Sequence, residues 1–131
     1  MFKTSVLDSE YIFLFVKFIS EPPSKPLNLS ETFVDQSSVL LSWLPPRYLG
    51  GRNDTFYSVS CDKCGTGVAY IPSQQGFSDT KVTVTGLSPV TTYTFKVYAE
   101  NGVSSFTASK FAEITITTDA SGNPLLYILW I

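Results

Sequence analysis

The residues best equipped for chemistry are Cys61 and Cys64, the whole thiol inventory of the chain. A closed zinc site takes four ligands, and two thiols in a chain with 0 histidines do not supply one. A redox Cys-x-x-Cys pair works where a helix N-terminus lowers one thiol's pKa. Here the pair follows the strand-like run Phe56-Tyr57-Ser58-Val59-Ser60 and precedes Gly65. Fully extended, the three steps between the cysteines cover roughly 10 Å, beyond the ~7 Å Cα separation a disulfide allows. Asp62-Lys63 must therefore turn if the thiols are to meet, a turn that Gly65 eases. Three readings stay open: a local disulfide, ahead of free thiols, ahead of metal or redox chemistry.

Other chemistry is thinly provided. The absent histidine removes Ser-His and Cys-His nucleophilic pairs, and no two of the scattered carboxylates share a motif suited to hydrolysis. Gly65-Thr66-Gly67 lacks the further glycines and the lysine of a phosphate-cradling loop, and it leads into a strand. A net charge of −2 offers no basic field for nucleic acid. No catalytic, cofactor-binding or metal-binding residue is expected, no cofactor, and no nucleic-acid partner. Two Asn-x-Ser/Thr triplets, Asn28-Leu29-Ser30 and Asn53-Asp54-Thr55, are candidate N-glycosylation sites if the chain is secreted, against the reading that such triplets arise by chance. Asn28 should face outward because Leu27 and Leu29 face in, and Asn53 falls in a loop. Arg47 and Arg52 bracket Tyr48 and Gly50-Gly51, and read as solvated loop charges before they read as contacts to a neighbouring domain.

The elements that must position these residues are strands. The 131 residues, 44% hydrophobic and 15% aromatic, suffice for one ordinary domain with a filled core. After Pro22, Pro23 and Pro26 comes Leu27-Asn28-Leu29, then Ser38 to Leu44 with Val39, Leu41 and Trp43 on one face. Pro45-Pro46 ends that run, since proline cannot donate to a ladder. Tyr57, Val59 and Cys61 share a face of the third run, Val68 to Ile71 makes a fourth, and Lys81 to Thr85 a fifth with Val82 and Val84 inward. Tyr93, Phe95, Val97 and Ala99 give the cleanest period of two, and Ala112, Ile114 and Ile116 the last. Seven short alternating strands without a comparable helical pattern predict an all-β fold of two antiparallel sheets.

The ends differ from the middle. Residues 1–21 carry the apolar run Tyr11 to Ile19, short of the ~20 residues of a membrane span. Asp8, Glu10 and Lys17 make it irregular as a signal peptide. It reads as a divergent signal or a gene-model artefact. Residues 119–131 close on Leu125 to Ile131, an apolar tail that reads as an artefact or a truncation. The expected domain is 22–118.

Pro26 through Leu29, and Leu41-Ser42-Trp43 with Pro45-Pro46, resemble the opening of a fibronectin type III domain. Leu87, Pro89, Thr91, Tyr93, Phe95, Val97, Ala99, Asn101, Gly102 and Ser104 resemble its later signature. The resemblance implies a seven-stranded immunoglobulin-like sandwich with Trp43, Tyr57, Leu87, Tyr93, Phe95 and Val97 in the core. Trp43 would fill the space between the sheets, and the Tyr93 hydroxyl would reach back to backbone in a tyrosine corner. Asn101-Gly102-Val103-Ser104-Ser105 occupies the hairpin where some such repeats carry integrin-binding Arg-Gly-Asp. That triplet is missing, and Asn-Gly reads as a turn former able to take positive φ.

A narrower likeness lies within the first. Gly50-Gly51-Arg52, Asp54, Tyr57, Cys61-Asp62-Lys63-Cys64-Gly65, Val68-Ala69-Tyr70-Ile71-Pro72 and Gln75-Gly76 resemble the first fibronectin type III repeat of Eph receptor tyrosine kinases. That repeat commonly carries further cysteines soon afterwards, and none follows here. The resemblance implies a non-catalytic extracellular spacer of an ephrin receptor, with neighbouring receptor domains and other receptor copies as protein partners. It would meet the membrane only through a parent segment outside this chain. A solitary adhesion or matrix repeat that binds a protein partner directly is the alternative.

Overall fold

The computed structural model describes residues 20–104 and 110–121. Its seven strands are β1 (Leu27–Val34), β2 (Ser38–Leu44), β3 (Phe56–Asp62), β4 (Ala69–Ile71), β5 (Lys81–Thr85), β6 (Thr92–Glu100) and β7 (Lys110–Thr117). They form a four-stranded sheet in the order β1-β2-β5-β4 and a three-stranded sheet in the order β3-β6-β7. All pairings between them are antiparallel. This is the strand order of the constant-type immunoglobulin sandwich.

Alternation along each strand puts one row of side chains between the sheets. Val39, Leu41 and Trp43 of β2, Val82 and Val84 of β5, and Tyr93, Phe95, Val97 and Ala99 of β6 are all buried. Tyr57 and Val59 of β3, Leu87 and Phe77 complete the cluster with Ile116 of β7. The Trp43 ring meets Tyr57 edge-on at 5.3 Å between centroids and Phe77 at 6.0 Å, the offset arrangement that aromatic quadrupoles favour. Burial is the first cause that pushes the Tyr57 phenol up; the Trp43 indole acts the other way, yet its nitrogen completes no hydrogen bond. Burying a side chain such as Leu41 or Phe95 stabilises the fold by about 2–3 kcal/mol.

β1 is longer than Leu27-Asn28-Leu29. It continues to Val34 through register shifts between Leu27 and Ser30 and between Glu31 and Phe33. On an edge strand with two bulges the side chains lose strict alternation, so Ser30 to Val34 carries no readable period. β4 starts at Ala69, after Val68.

The registers define two poles. Leu27 pairs with Leu44 and Phe56 with Glu100 at the leading pole, where the described chain begins. Val34 pairs with Val39 and Thr92 with Thr117 at the trailing pole, where it leaves β7. The chain thus enters the sandwich at one end and departs from the other. The apolar runs 11–19 and 125–131 lie outside the described residues. Among those described, no helix is long and apolar enough to cross a membrane.

Candidate functional site

The leading pole holds the densest set of side-chain bonds between segments distant in sequence. Three pieces meet there: residues 20–26 before β1, the 45–55 loop between β2 and β3, and the 101–104 turn after β6. The Glu21 N–H donates to the Gly50 carbonyl at 3.0 Å, and the Ser24 N–H to the Tyr48 carbonyl at 3.0 Å. The Tyr48 N–H donates to Ser24 Oγ at 3.1 Å, and the Tyr48 hydroxyl donates to the Glu21 carboxylate, which raises the phenol's pKa.

Gly50 is required by this close approach. Its φ is +75°, and a Cβ there would sit 1.8 Å from the Glu21 carbonyl oxygen, a backbone atom with no freedom to step aside.

Asn101 ties the three pieces together. It is 2% exposed. Its Nδ2 donates to the Glu21 carbonyl at 2.7 Å and to the Leu49 carbonyl at 3.4 Å. Its Oδ1 accepts from the Val103 N–H at 3.0 Å, while its own N–H donates to Ser104 Oγ at 3.0 Å. A buried side-chain amide with donors and acceptors engaged fixes its partners, because each would cost free energy if left unpaired. Asn-Gly forms the turn expected of it, closed by the Ser104 N–H donating to the Asn101 carbonyl at 3.1 Å. Neither Asn101 nor Gly102 adopts positive φ, and the Asn101 side chain and the Ser104 hydroxyl brace the turn further. Ser105 lies outside the described residues.

Arg52 is not a free loop charge. Its guanidinium forks onto Asp54, Nε to Oδ1 at 2.9 Å and Nη2 to Oδ2 at 2.7 Å, the geometry that suits Arg and carboxylate. Nη1 also donates to Ser20 Oγ at 3.3 Å, and Asp54 Oδ2 accepts the Gly102 N–H at 3.1 Å. The Arg52 bond, first among the causes, holds the Asp54 carboxyl down at about 2. Arg47 is exposed.

The other singled-out residues lie apart. Cys61 and Cys64 sit at the trailing end of β3, their sulfurs joined and their Cα atoms 5.6 Å apart. Lys63, with φ 70°, makes the turn between them, and Gly65 does not supply the left-handed residue. Asn28 is exposed, with φ 54°, within the first bulge of β1. Asn53 is exposed in the leading loop, and the Thr55 hydroxyl of its triplet is buried without a hydrogen-bond partner. Tyr93 Oη accepts the Ser88 N–H at 2.8 Å, so the hydroxyl oxygen of this corner is an acceptor from backbone five residues upstream. Trp43, Tyr57, Leu87, Tyr93, Phe95 and Val97 are all buried. Among the described residues no three His, Cys, Asp or Glu side chains gather as a metal group.

Sequence reasoning missed Glu21, Ser24, Tyr48 and Asn101 as one constellation. The available signal was Gly50-Gly51 in a loop following a proline-bounded strand, a mark of close backbone approach.

Comparison with known proteins fits this geometry. The fibronectin type III domain family matches residues 22–115. Ephrin type-A receptor 4-A of Xenopus laevis is 39% identical over 108 residues, 75% of this chain and 11% of that protein. Ephrin type-A receptor 7 of Gallus gallus is 40% identical over 111 residues, 76% of this chain and 11% of that protein. The chain therefore spans about a tenth of the length of these relatives. The solution structure of the fibronectin type III domain of human fibronectin type III domain containing protein 3 superposes with a TM-score of 0.61. It is 25% identical, covering 80% of this chain and 94% of that one.

Proposed function

Because this chain belongs to the fibronectin type III family, a non-catalytic module type, we propose that it is an extracellular spacer that sets the reach and orientation of a preceding domain in an ephrin-receptor-like protein. One observation carries this reading: the chain enters at the leading pole, strapped there by Asn101, Gly50 and Tyr48, and leaves at the opposite end. A spacer that transmits orientation needs its incoming chain fixed to its own body, since a free linker would decouple the two. The partners are then neighbouring receptor domains and other receptor copies. The likeness to ephrin type-A receptors supports the extracellular placement.

In that compartment Cys61 and Cys64 stay joined, and Asn28 and Asn53, both exposed, accept glycans. Intact mass with and without prior reduction and alkylation tests the first, and glycosidase-sensitive mass in a secreting cell line tests the second.

The experiment for the main reading is a graft. Residues 20–118, which keep Glu21 and Ser20 of the strap, replace the matching repeat of ephrin type-A receptor 4-A, and surface display and ephrin-triggered receptor phosphorylation are measured. Both are expected to persist, and phosphorylation is expected to fall when the graft carries Asn101→Ala. Normal display with phosphorylation indifferent to the strap would overturn the spacer role.

A further inference from the structure

The outward face of the β3-β6-β7 sheet carries a cavity that the spacer reading does not use. Ser58 pairs with Tyr98 and Ser60 with Lys96 across β3 and β6, so these side chains stand in two adjacent rows of one face. The 72–77 segment folds over the free edge of β3. The Tyr57 N–H donates to the Phe77 carbonyl at 2.7 Å and the Val59 N–H to the Gln74 carbonyl at 2.9 Å. Between that segment and the face lies a cavity of about 350 Å³ lined by Ser58, Ser60, Gln74, Gln75, Tyr98 and Glu100, with Val59 beneath.

The lining selects a ligand class. It contains two hydroxyls, two amides, one carboxylate and one phenol ring, and no cation, so phosphate, sulfate and other anions find no counter-charge. Val59 is 3% exposed, so the walls offer little aliphatic surface to an apolar ligand. Glu100 already accepts from Ser58 Oγ, which commits part of the carboxylate that a cation would need. Gln74 Nε2 donates to the Val59 carbonyl at 3.2 Å, leaving the acceptor end of that amide to a ligand. Tyr98 is half-buried and braced on its far side by Phe111, centroids 5.3 Å apart, with Lys96 Nζ 5.0 Å from the Phe111 centroid. Lys96 is thereby engaged away from the cavity lining.

Mixed donors and acceptors around one braced aromatic ring match a ligand whose groups both donate and accept and whose C–H face is apolar. Sugar hydroxyls are such groups, and a pyranose ring presents such a face to an aromatic one. The volume falls in the range of small-ligand sites, roughly 300–1,000 Å³. We propose that this cavity binds a neutral pyranoside, with Tyr98 as the stacking platform and Ser60, Gln74 and Gln75 as its hydrogen-bonding rim. This inference stands independently of the spacer role.

The test is a nitrogen-15 amide-shift titration of the full 131-residue chain with methyl α-mannopyranoside, methyl β-galactopyranoside and N-acetylglucosamine, and with ethylguanidinium as the cationic rival. The expected result is saturable shifts at Ser58, Ser60, Gln74, Gln75 and Tyr98 with at least one sugar in the millimolar range. Tyr98→Ala should weaken that binding about tenfold. Gln75→Ala, at an exposed position where folding is not at stake, should weaken it as well. No saturable shift with any of the three sugars, saturation by ethylguanidinium alone, shifts away from this face, or binding indifferent to both variants would each overturn the proposal.

Discussion

The two poles of this sandwich are closed by different means. At the leading pole, side chains reach across long stretches of sequence: Asn101 to Glu21, Tyr48 to Glu21, Arg52 to Ser20 and Asp54 to Gly102. At the trailing pole, backbone does more of the work. The Asp119 N–H donates to the Asp35 carbonyl, Val90 N–H to Asp119, Leu87 N–H to Ser37, and Thr118 N–H to Thr91. Side chains add to this: Thr118, 3% exposed, donates its hydroxyl to the Ser88 carbonyl at 2.6 Å and accepts the Thr91 N–H at 3.0 Å. The buried Tyr93 hydroxyl accepts the Ser88 N–H, and the Asp35 carboxylate accepts from Ser37 and Ser38 close by in sequence. Backbone closure tolerates many side chains, whereas side-chain closure depends on particular ones. The leading pole is thus where substitutions change how the incoming chain is held, and the trailing pole is where backbone bonds carry a larger share of the closure.

The sharpest way to break this contrast is Gly50→Ala. The new Cβ meets the Glu21 carbonyl in a left-handed backbone, so destabilisation of about 3 kcal/mol is expected by denaturant melting. Loss of amide protection should concentrate at Glu21 and Ser24. Asn101→Ala comes next, at about 2 kcal/mol, because it removes the buried amide that donates to the Glu21 and Leu49 carbonyls and accepts the Val103 N–H. Asp119 should keep its protection in both variants. Thr118→Val probes the opposite pole and should cost about 1 kcal/mol, with the pattern reversed: protection falls at Thr91 and Asp119 and persists at Glu21. A uniform response to all three substitutions would erase the distinction between the poles.

Acid supplies the gentlest probe. Arg52 holds Asp54 at about 2, below its ordinary 3.8. A depressed carboxylate contributes stability above the unfolded value and loses it as pH falls through the folded one. Stability should therefore decline between pH about 4 and about 2 as Asp54 takes up its proton, with thermal melts across that window reading the slope. Asp54→Asn should flatten this part of the profile. Asp35 lies at the other pole, where the Ser37 N–H and the Ser38 hydroxyl lower it, so it adds a slope of the same sign that Asp54→Asn leaves in place.

The contrast also explains what the sequence disclosed. Period-two runs such as Tyr93 to Ala99 and Lys81 to Thr85 were legible because burial of one sheet face imposes alternation. Trp43 and Tyr93 were legible because a large inward aromatic at a strand position has few other uses. The constellation at the leading pole was not. Asn101 is of a residue type that usually makes turns, and its burial depends on Glu21 passing beside it, a contact 80 residues away in sequence that no local pattern encodes. Lys63 hid its left-handed turn behind Gly65, the residue type that usually supplies one. The bulges of β1 similarly erased the alternation that would have marked its full length.

The most direct measurement is amide hydrogen exchange at Glu21 and Ser24 in the full chain. Their N–H groups donate to Gly50 and Tyr48, so the account predicts protection approaching that of the β2 amides and its collapse in Asn101→Ala. Exchange at both sites as fast as in an unstructured peptide would mean that the incoming chain is not held. The claim that this module fixes the direction of what precedes it would then fail.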